Sequence, residues 1–86
     1  MTATEFQHAV LERDDRCPCG KPATVAHHLV SAGIGKKLHD LRCGLGLCEW
    51  DHRDLHTRGF ETWASKFANA DDLIARREIA RMAKWE

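Results

Sequence analysis

The feature that most constrains this chain is the crowding of metal-binding side chains into its middle. All four cysteines (Cys17, Cys19, Cys43, Cys48) and five of the six histidines (His27, His28, His39, His52, His56) lie between Cys17 and His56. A domain of 86 residues buries only about 60–65% of its unfolded surface, so its core is thin and needs a staple. Cys and His are the usual staple, as disulfides or as metal ligands. The compartment chooses between them. Met1 to Arg16 has no apolar leader core and carries Glu5, Glu12, Asp14 and Asp15, so a cytoplasmic location is expected. There, cysteine clusters are more often metal sites than disulfides. No apolar run approaches the roughly 18 residues of a membrane span, so no membrane partner is expected. The 13 basic and 13 acidic residues cancel, which excludes binding to nucleic acid by bulk charge alone.

The flanks read as helices. Thr2 or Thr4 can cap a first helix over 1–15, and Thr2 with Glu5 has capping-box spacing. Phe6, Ala9, Val10 and Arg13 share one face of it. That helix should end before Cys17-Pro18, because a residue preceding proline disfavours the helical region. Cys17 to Pro22 holds two prolines and a glycine and reads as a turn. Ala23 to Val30, with β-branched Thr24, Val25 and Val30, reads as a strand. Ser31 to Gly46 carries four glycines and reads as a long ordered loop, which in a small domain is usually functional. Leu45 to Cys48 is a second apolar strand. Asp51 is a good N-cap for a helix from about His52, broken near Arg58-Gly59 and continued by Phe60, Trp63, Ala64 and Phe67. Asn69 or Asp71 caps a last helix, Asp72 to Trp85, packing through Leu73, Ile74, Arg77, Met82 and Trp85. The fold class is therefore α+β in one domain: an N-terminal helix (1–15), a metal-rich core (16–59) and C-terminal helices (60–86). Phe60, Trp63, Phe67 and Trp85 read as core, although such rings can also stack on bases.

His52 and His56 stand four apart on the predicted helix, so both imidazoles project from one face. His27 and His28 are neighbours on a strand and point to opposite faces. One of them can complete a three-histidine site with the helix. Three protein ligands with open positions is the catalytic arrangement, unlike the closed structural one. The other stays free as a base, since imidazole titrates near neutrality.

The stretch AHHLVSAGIGKKLHDLRCGLGLCEWDHRDLH resembles an HNH endonuclease motif, the ββα-metal or His-Me finger fold. It is most similar to compact HNH proteins of phages and prophages linked to recombination. The resemblance covers about Cys17 to Gly59. It implies that His27, His52 and His56 hold one catalytic divalent metal (Mg, Mn, Ni or Zn) and that His28 is the general base. The implied activity is metal-dependent hydrolysis of DNA phosphodiester bonds, by nicking or cleavage with low sequence specificity. The middle Asn of the motif is missing. Its position falls at or near Cys43, and the only Asn is Asn69. His39 or Asp40 can take over the orienting role, with Asp40 bonded to the free ring nitrogen of His28. Asp40 equally reads as a helix or turn cap.

Relatives of this kind place Cys-x2-Cys before the strand and a second pair after it, around a structural zinc. This chain has Cys17-x-Cys19, and Asp at 51 where a fourth ligand is expected. The fourth Cys stands at 43. The expected zinc site is therefore Cys17, Cys19, Cys43 and Cys48, with free thiols or disulfides as the alternatives. Such a site would supply folding energy to a thin core.

The balanced charge is unevenly spread. Arg16 to Cys48 holds five basic residues and one acid, Asp40. Lys36, Lys37 and Arg42 lie on the loop beside the expected site and are candidate phosphate contacts. Arg76, Arg77 and Arg81 form either a second basic patch or a solvated face. The expected partner is DNA, duplex or branched. A domain this small covers little DNA, so double-strand cutting implies a homodimer or a partner protein. The competing reading is a catalytically inactive zinc-binding module that binds nucleic acid or a protein.

Overall fold

The computed structural model describes residues 1–30 and 39–83. Lys36, Lys37 and Trp85, singled out above, lie outside the described residues.

Helix α1 spans Ala3–Arg13. Thr2 caps it: its hydroxyl accepts the Glu5 N–H at 3.1 Å while the Glu5 carboxylate accepts the Thr2 N–H at 3.0 Å, so two otherwise unpaired donors are satisfied reciprocally. The chain then turns at Cys17–Gly20. The Cys17 N–H donates to the Lys21 carbonyl, the Gly20 N–H to the Cys17 carbonyl, and Gly20 has a positive φ of 94°, a conformation glycine adopts without a Cβ penalty.

Strand β1 is Val25–His28 and strand β2 is Gly44–Leu47. Strand β1 is shorter than the sequence suggests, and β2 has the expected length but begins and ends one residue earlier. They pair antiparallel, with Val25 opposite Leu47, Ala26 opposite Gly46, His27 opposite Leu45 and His28 opposite Gly44. A 3-10 turn, Leu41–Cys43, leads into β2. From residue 41 onward, what read as loop up to Gly46 is a 3-10 turn followed by strand.

The Gly-Leu-Gly-Leu alternation of β2 explains the layering. Successive side chains face opposite sides. Leu45 and Leu47 face the main core, with Leu55, Trp63, Leu73 and Ala80. Gly44 and Gly46 face α1. A Cβ on Gly44 would collide with the side chain of Val10 and lie 2.8 Å from Phe6 Cζ, and one on Gly46 would lie 2.5 Å from the Asp14 carbonyl. The glycines thus let α1 rest directly on the ribbon, burying Phe6 and Val10.

Helix α2, Glu49–Arg58, begins with Cys48 as its N-cap, not Asp51. The Cys48 Sγ accepts the Asp51 N–H at 3.4 Å. The helix starts earlier than expected, which moves Asp51 into its first turn and buries it. Gly59, at φ 87°, ends α2 by donating to the Leu55 carbonyl and redirects the chain into α3, Phe60–Ala64. Helix α4 runs over Ala70–Ala83. Leu73, Ala80 and Ala83 are buried, whereas Met82, expected to pack, is exposed. Trp63 is fully buried, with Phe60 and Phe67 packed around it.

Asp14, just past α1, ties three elements together. It accepts bonds from the Arg13 and Arg76 side chains at 2.6 and 2.8 Å and from the Gly46 N–H at 3.1 Å. Among the described residues, no helix is long and apolar enough to cross a membrane. The result is an α+β fold in which a two-stranded antiparallel ribbon lies between α1 and the remaining helices.

Candidate metal centres

Helix α2 presents two adjacent stripes, and each meets a different cluster. Residues four apart lie on one face, so Asp51 and Leu55 form one stripe and His52 and His56 the next.

The His52–His56 stripe faces His27 of β1. The nitrogens of His27, His52 and His56 lie within 4.8 Å of one another. His52 Nε2 and His56 Nε2 are 3.1 Å apart. Two nitrogens on one tetrahedral ion at ordinary bond lengths would be about 3.3 Å apart. The His27 ring stands edge-on to both partners, at 5.2 and 5.3 Å between centroids. Burial first, then the neighbouring His52, His56 and His28, pushes His27 down to about 4. Burial and His56 likewise lower His52. Unprotonated imidazole is the ligand form, so the lowering of His27 and His52 favours the state that binds a cation.

A cleft of about 470 Å³ opens over this cluster, lined by Ala26, His27, His28, Leu29, Val30, His52 and His56. His28 therefore shares the cleft with the three-imidazole group although it points to the other face of β1. Its ring stacks on Phe6 at 4.6 Å and 6°. Burial, then the charge of His39, lowers its affinity for a proton.

The second cluster differs from the expected four-cysteine set. Cys17, Cys19, Cys48 and Asp51 each place one ligand atom within 4.8 Å of the others. Cys43 is not among them. Its fully buried Sγ sits 3.7 Å from the Ala80 carbonyl, against α4. The reason is topological. Cys43 lies at the far end of β2, whereas the knuckle Cys17–Cys19 comes close to the end where α2 starts. The fourth position falls to Asp51, three residues after Cys48. The Cys19 and Cys48 sulfurs are 3.7 Å apart, close to the roughly 3.8 Å edge of a tetrahedral zinc–thiolate site.

Asp51 also joins this cluster to the core. Its carboxylate accepts from Cys17 Sγ at 3.1 Å, Cys48 Sγ at 3.4 Å, Trp63 Nε1 at 3.3 Å and Lys66 Nζ at 3.1 Å. Burial disfavours its charge, but bonds from Cys19, Cys17, Lys66 and Trp63 outweigh that and hold it well below the usual carboxylate range. Burial pushes the Cys17 and Cys19 thiols up, and bonding to Asp51 adds to this. A bound cation would invert the balance, since coordination deprotonates a thiol outright.

Two further sequence-based expectations change. Asp40 is not bonded to His28 among the described residues. Its oxygens accept the Arg42 backbone N–H at 2.9 Å and the Arg42 guanidinium at 3.0 and 2.8 Å, so it serves as the cap of the 3-10 turn. Arg42, a candidate phosphate contact, carries that ion pair. The arginines of α4 are also engaged: Arg76 with Asp14, Arg77 with Glu61, Arg81 with Glu78. They do not form a free basic patch.

Sequence reasoning missed Asp51 as a member of the thiol cluster. The Cys48-x2-Asp51 spacing carried that signal. No sequence signal pointed to Trp63 and Lys66 as its partners. No family model, curated protein or solved structure matches this chain.

Proposed function

We propose that this protein is a metal-dependent endonuclease that hydrolyses DNA phosphodiester bonds, and that the thiol cluster is a structural zinc site. One observation carries the reading: three imidazoles converge from a strand and a helix, and a fourth imidazole lines the same cleft. Two antiparallel strands followed by a helix bring these residues together, in the element order expected from the resemblance to HNH nucleases.

His27, His52 and His56 would hold the divalent cation, leaving positions open toward the cleft. When bound, it supplies Lewis-acid polarisation of the phosphate and neutralises charge on the leaving oxygen. The protein's own residues do the rest. Packing of His27 between β1 and α2 fixes the angle of approach. His28, immobilised by its stack on Phe6, accepts a proton from the attacking water. The zinc site, with Cys17, Cys19, Cys48 and Asp51 as ligands, would brace the first turn of α2 directly beneath His52, adding folding energy that a small core lacks.

The test is plasmid nicking with Mg, Mn, Ni or Zn. The wild type should nick with at least one of them. His28→Ala should lose nicking while still binding the cation. Absence of nicking with every metal would overturn the nuclease reading and favour the competing one, an inactive zinc-binding module.

A further inference from the structure

On the face of β1 away from His27, three rings meet. His28 lies flat on Phe6, and His39 leans against both at 5.5 Å between centroids. Two nitrogens of this group are buried and have no hydrogen-bond partner among the described residues: Nε2 of His28 and Nδ1 of His39. Buried polar atoms are nearly always paired. Two such atoms in touching rings are each other's nearest remedy. A neutral imidazole carries one donor and one acceptor nitrogen. A ring nitrogen stands a little over 1 Å from its centroid, so a direct N–H···N bond would set centroids about 5.2 Å apart. The observed centroid separation of 5.5 Å is compatible with such a bond once the two nitrogens face each other.

We propose that His39 is a positioning residue: its Nδ1 accepts the Nε2–H of His28 and thereby fixes the tautomer of the proposed base. Which imidazole nitrogen carries the proton is set by the bond the other one makes. With the proton held on Nε2, Nδ1 keeps its lone pair, on a ring that lines the cleft. The position where the resemblance calls for Asn is near Cys43, whose thiol is turned to Ala80. Asp40 is bonded to Arg42. His39, just before the 3-10 turn, brings an acceptor nitrogen to the ring of His28.

This inference rests on the nuclease reading for its catalytic consequence, but not for the bond itself. Two variants and two readouts separate them. His39→Phe keeps the ring packing and removes the acceptor. His39→Gln replaces it with an amide oxygen. In zinc-loaded protein labelled with ¹⁵N-histidine, nitrogen shifts should show His28 protonated on Nε2 in the wild type and in His39→Gln, and a mixture of tautomers in His39→Phe. In nicking assays His39→Phe should lower kcat about 10–100-fold, with KM little changed, and His39→Gln should recover most of that loss. An unchanged His28 tautomer in His39→Phe, or an unchanged kcat, overturns the proposal. If His39→Phe does not fold, scrambled His28 tautomers in His39→Gln overturn it. If the wild type does not nick with any metal, the nuclease reading fails and the nitrogen shifts alone decide the hydrogen bond.

Discussion

Replacing Asp51 with Ala should destabilise the protein even when no metal is bound. The carboxylate is 2% exposed and accepts four bonds. Its removal leaves the indole N–H of fully buried Trp63 without a partner, which costs about 1–3 kcal/mol. The Lys66 pair is half solvent-exposed on the lysine side and contributes at most about 1 kcal/mol. The thiols are weak donors and add little. Together the loss should be about 2–4 kcal/mol, which for a domain of this size lowers Tm by on the order of 10–25 °C. Asp51→Asn keeps an oxygen for Trp63 and should lose about 1 kcal/mol. The assay is urea unfolding in excess chelator, followed by Trp fluorescence and by circular dichroism. An Asp51→Ala variant within about 0.5 kcal/mol of the wild type, the range of an ordinary surface change, would refute the network. With zinc restored, Asp51→Cys should retain the ion and Asp51→Ala should release it to chelator far sooner.

Other expectations follow from the same geometry. Gly44→Ala places a methyl on Val10 and Phe6 and should cost about 1–3 kcal/mol, read by thermal melting. An unchanged Tm would mean that α1 does not sit on the ribbon as described. His56→Ala should abolish cation binding at the imidazole cluster while leaving zinc at the thiol cluster, measured by metal analysis after dialysis; loss of both ions would show that the two clusters are not separate sites. Asp14 gives a pH dependence. Burial disfavours its charge, but bonds from Arg13, Arg76 and the Gly46 N–H hold the carboxyl below its ordinary value of 3.8. A group depressed in the folded state adds stability that is fully present above its unfolded value and is lost as pH falls through the folded one. Asp14→Asn should therefore flatten the fall in stability below about pH 4, and an unaltered acid limb in urea titrations would count against the assignment.

Much of the fold was legible because it rests on local rules. The Thr2–Glu5 pair caps α1, Gly59 breaks the helix after His56, and the period of two in β1 sends His27 and His28 to opposite faces. The pairing of His52 with His56 needed only the helical repeat. Boundaries were less legible, since the thiol of Cys48 took the N-cap from Asp51, and a sulfur cap has no strong signature. Whether the arginines of α4 form a basic patch or a solvated face stayed open in the sequence because the partners of Arg76 and Arg77, Asp14 and Glu61, are distant in sequence.

The sequence by itself therefore determined that His52, His56 and one histidine of the His27-His28 pair can meet at one ion, and which helix and strand carry them, because that follows from the spacing along each element. Tertiary structure alone decided which cysteines share a cluster. Cys43 and Cys48 flank the same strand, yet only Cys48 comes out beside the knuckle, while Cys43 ends up under α4. It also decided that Asp51 completes the cluster and that His39 comes to rest against His28. Those pairings depend on strand register and on how the helices stack, and neither is written in the spacing of the residues concerned.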